Sequence, residues 1–136
     1  LYHVIEHLDD PLRCIELLYK KLKKGGELII GTPNPSSIIA RLFGAYWYNL
    51  DSPRHLVLFS PTNLRQNVEK QKFIVRTIEY CSAGGLIGSI QYVFRERFGV
   101  KWDLIHTLWI VLAIYPLEWI LDKFHMGDVF VMRMTK

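Results

Sequence analysis

The strongest constraint on the fold is a short grammar near the start of the chain: Asp9-Asp10-Pro11, then apolar residues at helical spacing, then Gly25-Gly26, then Glu27-Leu-Ile-Ile-Gly31. An aspartate before a proline is a helix start, because the carboxylate caps free N–H groups and proline at the first turn has no N–H to leave unpaired. Leu12, Ile15, Tyr19 and Leu22 recur at helical spacing with Leu18 beside them, and the glycine pair supplies a left-handed stop. The apolar run that follows is short enough for a buried strand. Helix, glycine stop and buried strand form the second half of a βαβ unit, so the chain is expected to be α/β with a parallel sheet.

Further along, Thr32-Pro33-Asn34-Pro35 breaks regular structure at the carboxyl end of that strand, the edge where open α/β sheets hold ligands. Residues 36–43 are expected to form a short helix stopped by Gly44. Residues 46–59 form an aromatic-rich loop carrying Trp47, Asp51, Arg54 and His55. Ser60-Pro61 repeats the cap-then-proline start, with Leu64 and Val68 on the apolar side. Phe73 to Tyr80 reads as a strand with Ile74, Ile78 and Tyr80 on one face. Gly84, Gly85 and Gly88 precede an apolar helix through Tyr92 and Phe94. Trp102 to Phe124 reads as a longer helix kinked at Pro116, and Asp128 to Thr135 as a closing strand.

With 136 residues, half of them hydrophobic and 22% charged, the chain has globular composition and room for one domain or part of one. It opens on Leu1 in an apolar stretch, which is expected of a cut through a domain. The net charge of +4 comes largely from Lys20, Lys21, Lys23 and Lys24. These complement a helix C-terminus and lack interleaved aromatics, so no nucleic-acid partner is expected. Cys14 and Cys81 match no metal spacing and suit free thiols in a reducing cytoplasm.

Four segments, His3-Val-Ile-Glu-His-Leu-Asp-Asp-Pro11, Leu22 to Pro35, Ser52 to Leu64 and the final Asp128 to Lys136, stand in an order that resembles the C-terminal half of class I S-adenosylmethionine-dependent methyltransferases. The likeness is to the subgroup acting on small molecules, lipid-linked quinones and sugars, and it covers residues 1 to about 80 and the last strand. It implies the C-terminal part of a Rossmann-like sheet. Residues 1–5 would end strand four, 27–31 would be strand five, 73–80 strand six and 128–135 an antiparallel strand seven beside the fifth. Residues 84–125 would be an apolar helical lid or insertion.

The resemblance implies S-adenosylmethionine as cofactor, contacted by Tyr2, His3, Val4, Ile5 and Glu6. The glycine-rich loop that grips the cofactor would lie upstream, so weak or no binding by these residues alone is expected. Transfer of an activated methyl group asks mainly for positioning, and for a base only if the acceptor must lose a proton. His55 is the first candidate base and His7 the second; either could instead fix a loop through a backbone hydrogen bond. Tyr46, Trp47, Arg54 and Phe59 are the candidate acceptor contacts, with Arg54 either holding an anionic acceptor or pairing with Asp51.

Two rival readings remain. His3-Val-Ile-Glu-His7 spells an inverted zinc-peptidase motif, with Glu79 available as a distant third ligand. That chemistry needs both histidines on one continuous helix, which the helix start at Asp9 argues against, so no metal site is expected. The second is a non-catalytic membrane-surface or interaction module: residues 107–117 carry no charge but are too short to span, while Trp102, Trp109, Tyr115 and Trp119 suit a helix lying in the interface. The alternative is a buried lid over a pocket for an apolar or lipid-linked acceptor. Apolar surface left uncovered would favour a homodimer.

Overall fold

The computed structural model describes residues 1–82, 84–101, 103–104 and 106–136. In chain order they form α1 (Pro11–Lys21), β1 (Glu27–Pro33), α2 (Ile38–Phe43), α3 (Pro61–Lys70), β2 (Ile74–Cys81), α4 (Gly85–Phe98), α5 (Leu108–Lys123) and β3 (Val129–Thr135). Single 3-10 turns lie at Ile5–His7, Gly44–Tyr46 and Tyr48–Leu50.

The caps do what their residue types dictate. Asp10 accepts the N–H of Arg13, Ser37 that of Ala40 and Ser60 that of Asn63, each three residues on. The α1 helix ends at Lys21, before the glycines; Gly25, with φ of 77°, turns the chain afterwards and donates its N–H to the Lys136 carbonyl. The four lysines at this end are exposed.

The sheet order is β1-β3-β2, with β3 antiparallel to both neighbours. The closing strand therefore fills the centre, and β1 and β2 run parallel to each other across it. Alternation along β3 puts Phe130, Met132 and Met134 on one face, all fully buried. They meet Ile15 of α1, Leu64 and Val68 of α3, and Ile30 of β1 in a single core.

Three expectations shift. Leu12 is 42% exposed, and the apolar stripe of α1 is carried by Ile15, Leu18, Tyr19 and Leu22. On β2 the register slips between Val75 and Thr77, so Val75, Ile78 and Tyr80 face the core while Ile74 is exposed; a bulge inverts alternation on one side of itself. Residues 1–5 make one parallel bridge, Tyr2 with Gly31, and then leave the strand direction. His3 has φ of 49°, which an extended strand does not permit.

Gly85 and Gly88 lie inside α4 rather than before it, because neither site has room for a side chain. A Cβ on Gly85 would collide with Asp128 Oδ2, and one on Gly88 would stand 2.4 Å from the Tyr48 ring. The α5 helix begins at Leu108 and runs through Pro116; Trp102 of the expected longer helix lies outside the described residues.

Candidate functional site

The site forms where the first segment turns away from the carboxyl end of β1. His3 N–H donates to the Gly31 carbonyl and Gly31 N–H to that of Leu1, and the Tyr2 ring fills the space where Gly31 lacks a side chain. The chain then folds into the 3-10 turn Ile5–His7. Ile5 is fully buried in the core. Val4 and Tyr2 are exposed.

Glu6 is fully buried. Its Oε2 accepts from the Thr32 hydroxyl at 3.1 Å, while Oε1 has no hydrogen bond, with His3 Nδ1 3.3 Å away. Its backbone carbonyl accepts the N–H groups of Leu56 at 2.8 Å and Val57 at 3.3 Å. Those two bonds strap the aromatic-rich loop against the 3-10 turn, and they explain how residues 48 positions apart in sequence become neighbours.

The strap brings the imidazoles of His7 and His55 together, with ring centroids 4.7 Å apart and tilted by 60°. His7 Nδ1 lies 2.9 Å from the Arg54 carbonyl and His55 Nδ1 lies 2.9 Å from the Asn49 carbonyl. A carbonyl only accepts, so both Nδ1 atoms are assigned the proton and both Nε2 atoms keep a lone pair. His55 is 7% exposed, with Asp51 Oδ2 3.8 Å from its Nε2. Asp51 itself holds Arg54 through Nε and Nη2, at 3.1 and 2.7 Å, which raises the Arg54 pKa. Asp51 has φ of 40°. It and His3 are two strained non-glycine positions within one site.

Beside the imidazoles lies a cavity of about 240 Å³ lined by His3, His7, Tyr48, Asn49, Asp51, Arg54, His55 and Tyr92. Of the four candidate acceptor contacts it includes Arg54. Trp47 and Phe59 are buried, Phe59 within the main core, and Tyr46 is not part of the lining; Tyr48 takes the aromatic role. The Tyr48 and Tyr92 rings meet tilted by 51° with centroids 5.4 Å apart, and Tyr48 N–H donates to Ser89 Oγ at 2.9 Å. The signal that marks them is Gly88-Ser89-Tyr92, a face of small residues followed by an aromatic one turn on. The α4 helix, not α5, reaches the pocket. A cavity of about 310 Å³ at the far end of α4 is lined, among the described residues, by Gln91, Arg95, Val100, Lys101 and Asp103, without an imidazole or thiol.

The zinc-peptidase geometry is ruled out, since His3 and His7 are joined by one 3-10 turn rather than a helix. Glu79 stands on β2, opposite Val131 and 3.7 Å from Arg133. A different set does converge: donor atoms of Glu6, His7 and His55 lie within 4.8 Å of one another. Cys14 and Cys81 are free thiols. Among the described residues no helix is long and apolar enough to cross a membrane.

Comparison with known proteins bears on the fold and the family. The chain is similar in fold to a SAM-dependent methyltransferase from Thermotoga maritima, with a TM-score of 0.59 at 18% identity over 99% of this chain and 53% of that one. A SAM-dependent methyltransferase from Archaeoglobus fulgidus gives 0.57 at 20% identity over 100% of this chain and 57% of that one. Phosphoethanolamine N-methyltransferase 2 of Haemonchus contortus, solved with S-adenosyl-L-methionine, gives 0.51 at 18% identity over 97% and 31%. The chain thus spans about half the length of the first two structures. No curated protein matches it. The profile of a methyltransferase domain matches residues 1–78, more than half of the chain, and the chain belongs to that methyltransferase domain family.

Proposed function

We propose that these residues form the acceptor side of a site for S-adenosylmethionine-dependent methyl transfer to a small or lipid-linked molecule. The observation that carries this reading is the cavity between the His7–His55 pair and the Tyr48–Tyr92 pair, placed beside the segment 2–6 within the matched family region. In this reading β1, β3 and β2 correspond to strands five, seven and six of the full sheet. The cofactor lies along Tyr2, His3, Val4 and Glu6 and the backbone of Ile5, and a glycine-rich half of the domain completes its site.

The chemistry needs a nucleophile held in line with the methyl group and away from water. The rings of Tyr48 and Tyr92 form one wall of a lining that is otherwise polar. The Nε2 lone pair of His55, with Asp51 Oδ2 3.8 Å from the same nitrogen, takes a proton from an acceptor hydroxyl as the new bond to carbon forms and the bond to sulfur breaks; an ammonium acceptor would lose its proton first and attack as the amine. His7 is the second base candidate, and Arg54 sits at the rim as a positive charge half neutralised by Asp51.

Amide NMR of the chain titrated with S-adenosylmethionine tests the placement. Whatever shifts the cofactor causes are expected at the amides of residues 2–6 and of Thr32, Asn34 and Ser36. Cofactor-dependent shifts that fall elsewhere and spare these amides would overturn it.

A second reading concerns α5. Leu108, Trp109, Leu112, Tyr115, Trp119 and Phe124 are each more than half exposed, and Glu118 is the buried residue of the helix. The apolar face of this helix is therefore uncovered within this chain. It suits contact with a membrane surface from which a lipid-linked acceptor is drawn, or with a second copy of the chain.

A further inference from the structure

We propose that Glu6, His7 and His55 hold one divalent first-row transition-metal ion, with its open side facing the cavity. The assignment of the ion stands on side-chain geometry alone; its use in catalysis rests on the methyl-transfer reading above.

Three independent observations converge. The first is distance: one donor atom from each residue lies within 4.8 Å of the others. Bonds of about 2.1 Å keep the donors around one ion roughly 3 to 4 Å apart, so the set needs to close only slightly. The second is tautomer. Both imidazoles give Nδ1–H to a backbone carbonyl, of Arg54 and of Asn49, which leaves Nε2 unprotonated. Metal-bound histidines are oriented in this way, by the hydrogen bond on the nitrogen that does not bind the metal. The third is the state of Glu6. It is fully buried, Thr32 satisfies one oxygen, and the other has no hydrogen bond. A carboxylate taken out of water requires a cation or donors, and the exposed His3 ring, with Nδ1 3.3 Å from Oε1, makes no hydrogen bond to it.

The scaffold makes the set rigid. Glu6 and His7 belong to one turn, His55 to the loop, and the Leu56 and Val57 N–H groups bind the loop to the Glu6 carbonyl. Asp51, 3.8 Å from His55 Nε2, adds negative charge at the rim. Two imidazoles and one carboxylate are borderline donors that suit zinc, manganese, iron or cobalt; magnesium and calcium favour all-oxygen sets. Three ligands also leave coordination positions free for substrate.

That open side meets the Tyr48–Tyr92 cavity and takes an acceptor hydroxyl, of a catechol or a vicinal diol for preference, since two oxygens fill two positions. With the ion in place the imidazoles act as ligands, and the ion lowers the hydroxyl pKa. The proton passes to water. The oxygen then forms the C–O bond while the C–S bond of the sulfonium breaks, leaving a methyl ether and a neutral thioether.

Calorimetric titration of the chain with zinc and visible-absorption titration with cobalt test the site, with circular dichroism confirming that each variant folds. One ion per chain is expected. His7→Ala and His55→Ala should each weaken it by at least about 100-fold, as loss of a ligand exceeds loss of its supporting bond. His7 is exposed, so His7→Ala reports on the site even if His55→Ala unfolds. His125→Ala, whose ring lies against Tyr80, should bind as the parent does. Absence of stoichiometric binding, or binding that survives the double change at His7 and His55, overturns the proposal. Cation binding together with cofactor shifts that spare residues 2–6 would keep the ion site and remove the methyl-transfer reading. Cofactor shifts without cation binding would do the reverse.

Discussion

Replacing Gly88 by alanine sets two quantities against each other. In an open helix interior the change stabilises by about 0.8–1 kcal/mol, because alanine restricts the unfolded chain and favours the helix. In α4 the new carbon would stand 2.4 and 2.5 Å from Cγ and Cδ2 of Tyr48 and 2.9 Å from its Cβ. Carbon atoms rest at about 3.5 Å or more, so the tyrosine must retreat by roughly 1 Å. Turning the ring does not suffice, since its own Cβ is among the crowded atoms. The backbone is held as well, by the Tyr48 N–H on Ser89 Oγ at 2.9 Å. Overpacking of this kind costs about 1–3 kcal/mol, and a pinned neighbour puts the cost near the upper end. The net expectation is a loss of about 2 kcal/mol after the helix gain. In urea, with a slope of about 1–3 kcal/mol per molar, the midpoint should fall by about 1 M. Adding Tyr48→Ala to the Gly88→Ala variant should remove most of the penalty that the methyl group imposes, a coupling that contact between the two residues requires. A Gly88→Ala variant as stable as the parent would refute the packing of α4 on Tyr48 that builds the cavity wall.

Other expectations follow from single groups. Glu118 is 4% exposed and accepts the Leu86 N–H, and burial pushes its carboxyl above the ordinary 4.5. Its contribution to stability is therefore fully present below pH 4.5 and is lost as pH rises through the raised value. Glu118→Gln keeps an acceptor and should melt higher than the parent at pH 7, with the gain shrinking at pH 4; a lower melting temperature at pH 7 would contradict the burial argument. Ser60→Ala removes the α3 cap and should lower stability by about 1 kcal/mol, while Ser60→Asp should largely preserve it; equal thermal melts for all three would deny the cap a role. If α5 lies on a lipid surface, the chain should float with anionic vesicles and the Trp109→Ala/Trp119→Ala pair should not; a parent chain that stays in the soluble fraction sinks the membrane reading.

The local elements were legible because their signals are local. Asp10-Pro11 and Ser60-Pro61 start helices wherever they occur, and the run from Glu27 reads as a strand from composition alone. The errors fall where a neighbour from elsewhere in the chain decides. The bulge after Val75 depends on how β2 meets β3, so alternation counted along the sequence put Ile74 inside. Gly85 and Gly88 read as helix breakers, yet they sit in α4 because Asp128 and Tyr48 occupy the space where their side chains would be. The likeness of the first segments to methyltransferases was legible as an order of motifs, and the family match over residues 1–78 agrees with it.

The sequence by itself determined which chemical groups the site could use: His7 and His55 were the candidate bases from residue type and loop position, with Glu6 and Arg54 beside them. It also determined the helix starts, the closing strand and the modest charge. Only the tertiary structure decided that His7 and His55 meet. Their approach depends on two N–H groups of the loop finding the Glu6 carbonyl, a pairing of backbone atoms that carries no residue signature. The same is true of the cavity walls, where Tyr48 and Tyr92 meet because a glycine lets α4 come close. Residue types set the available chemistry; convergence of segments distant along the chain set which of those groups share one site.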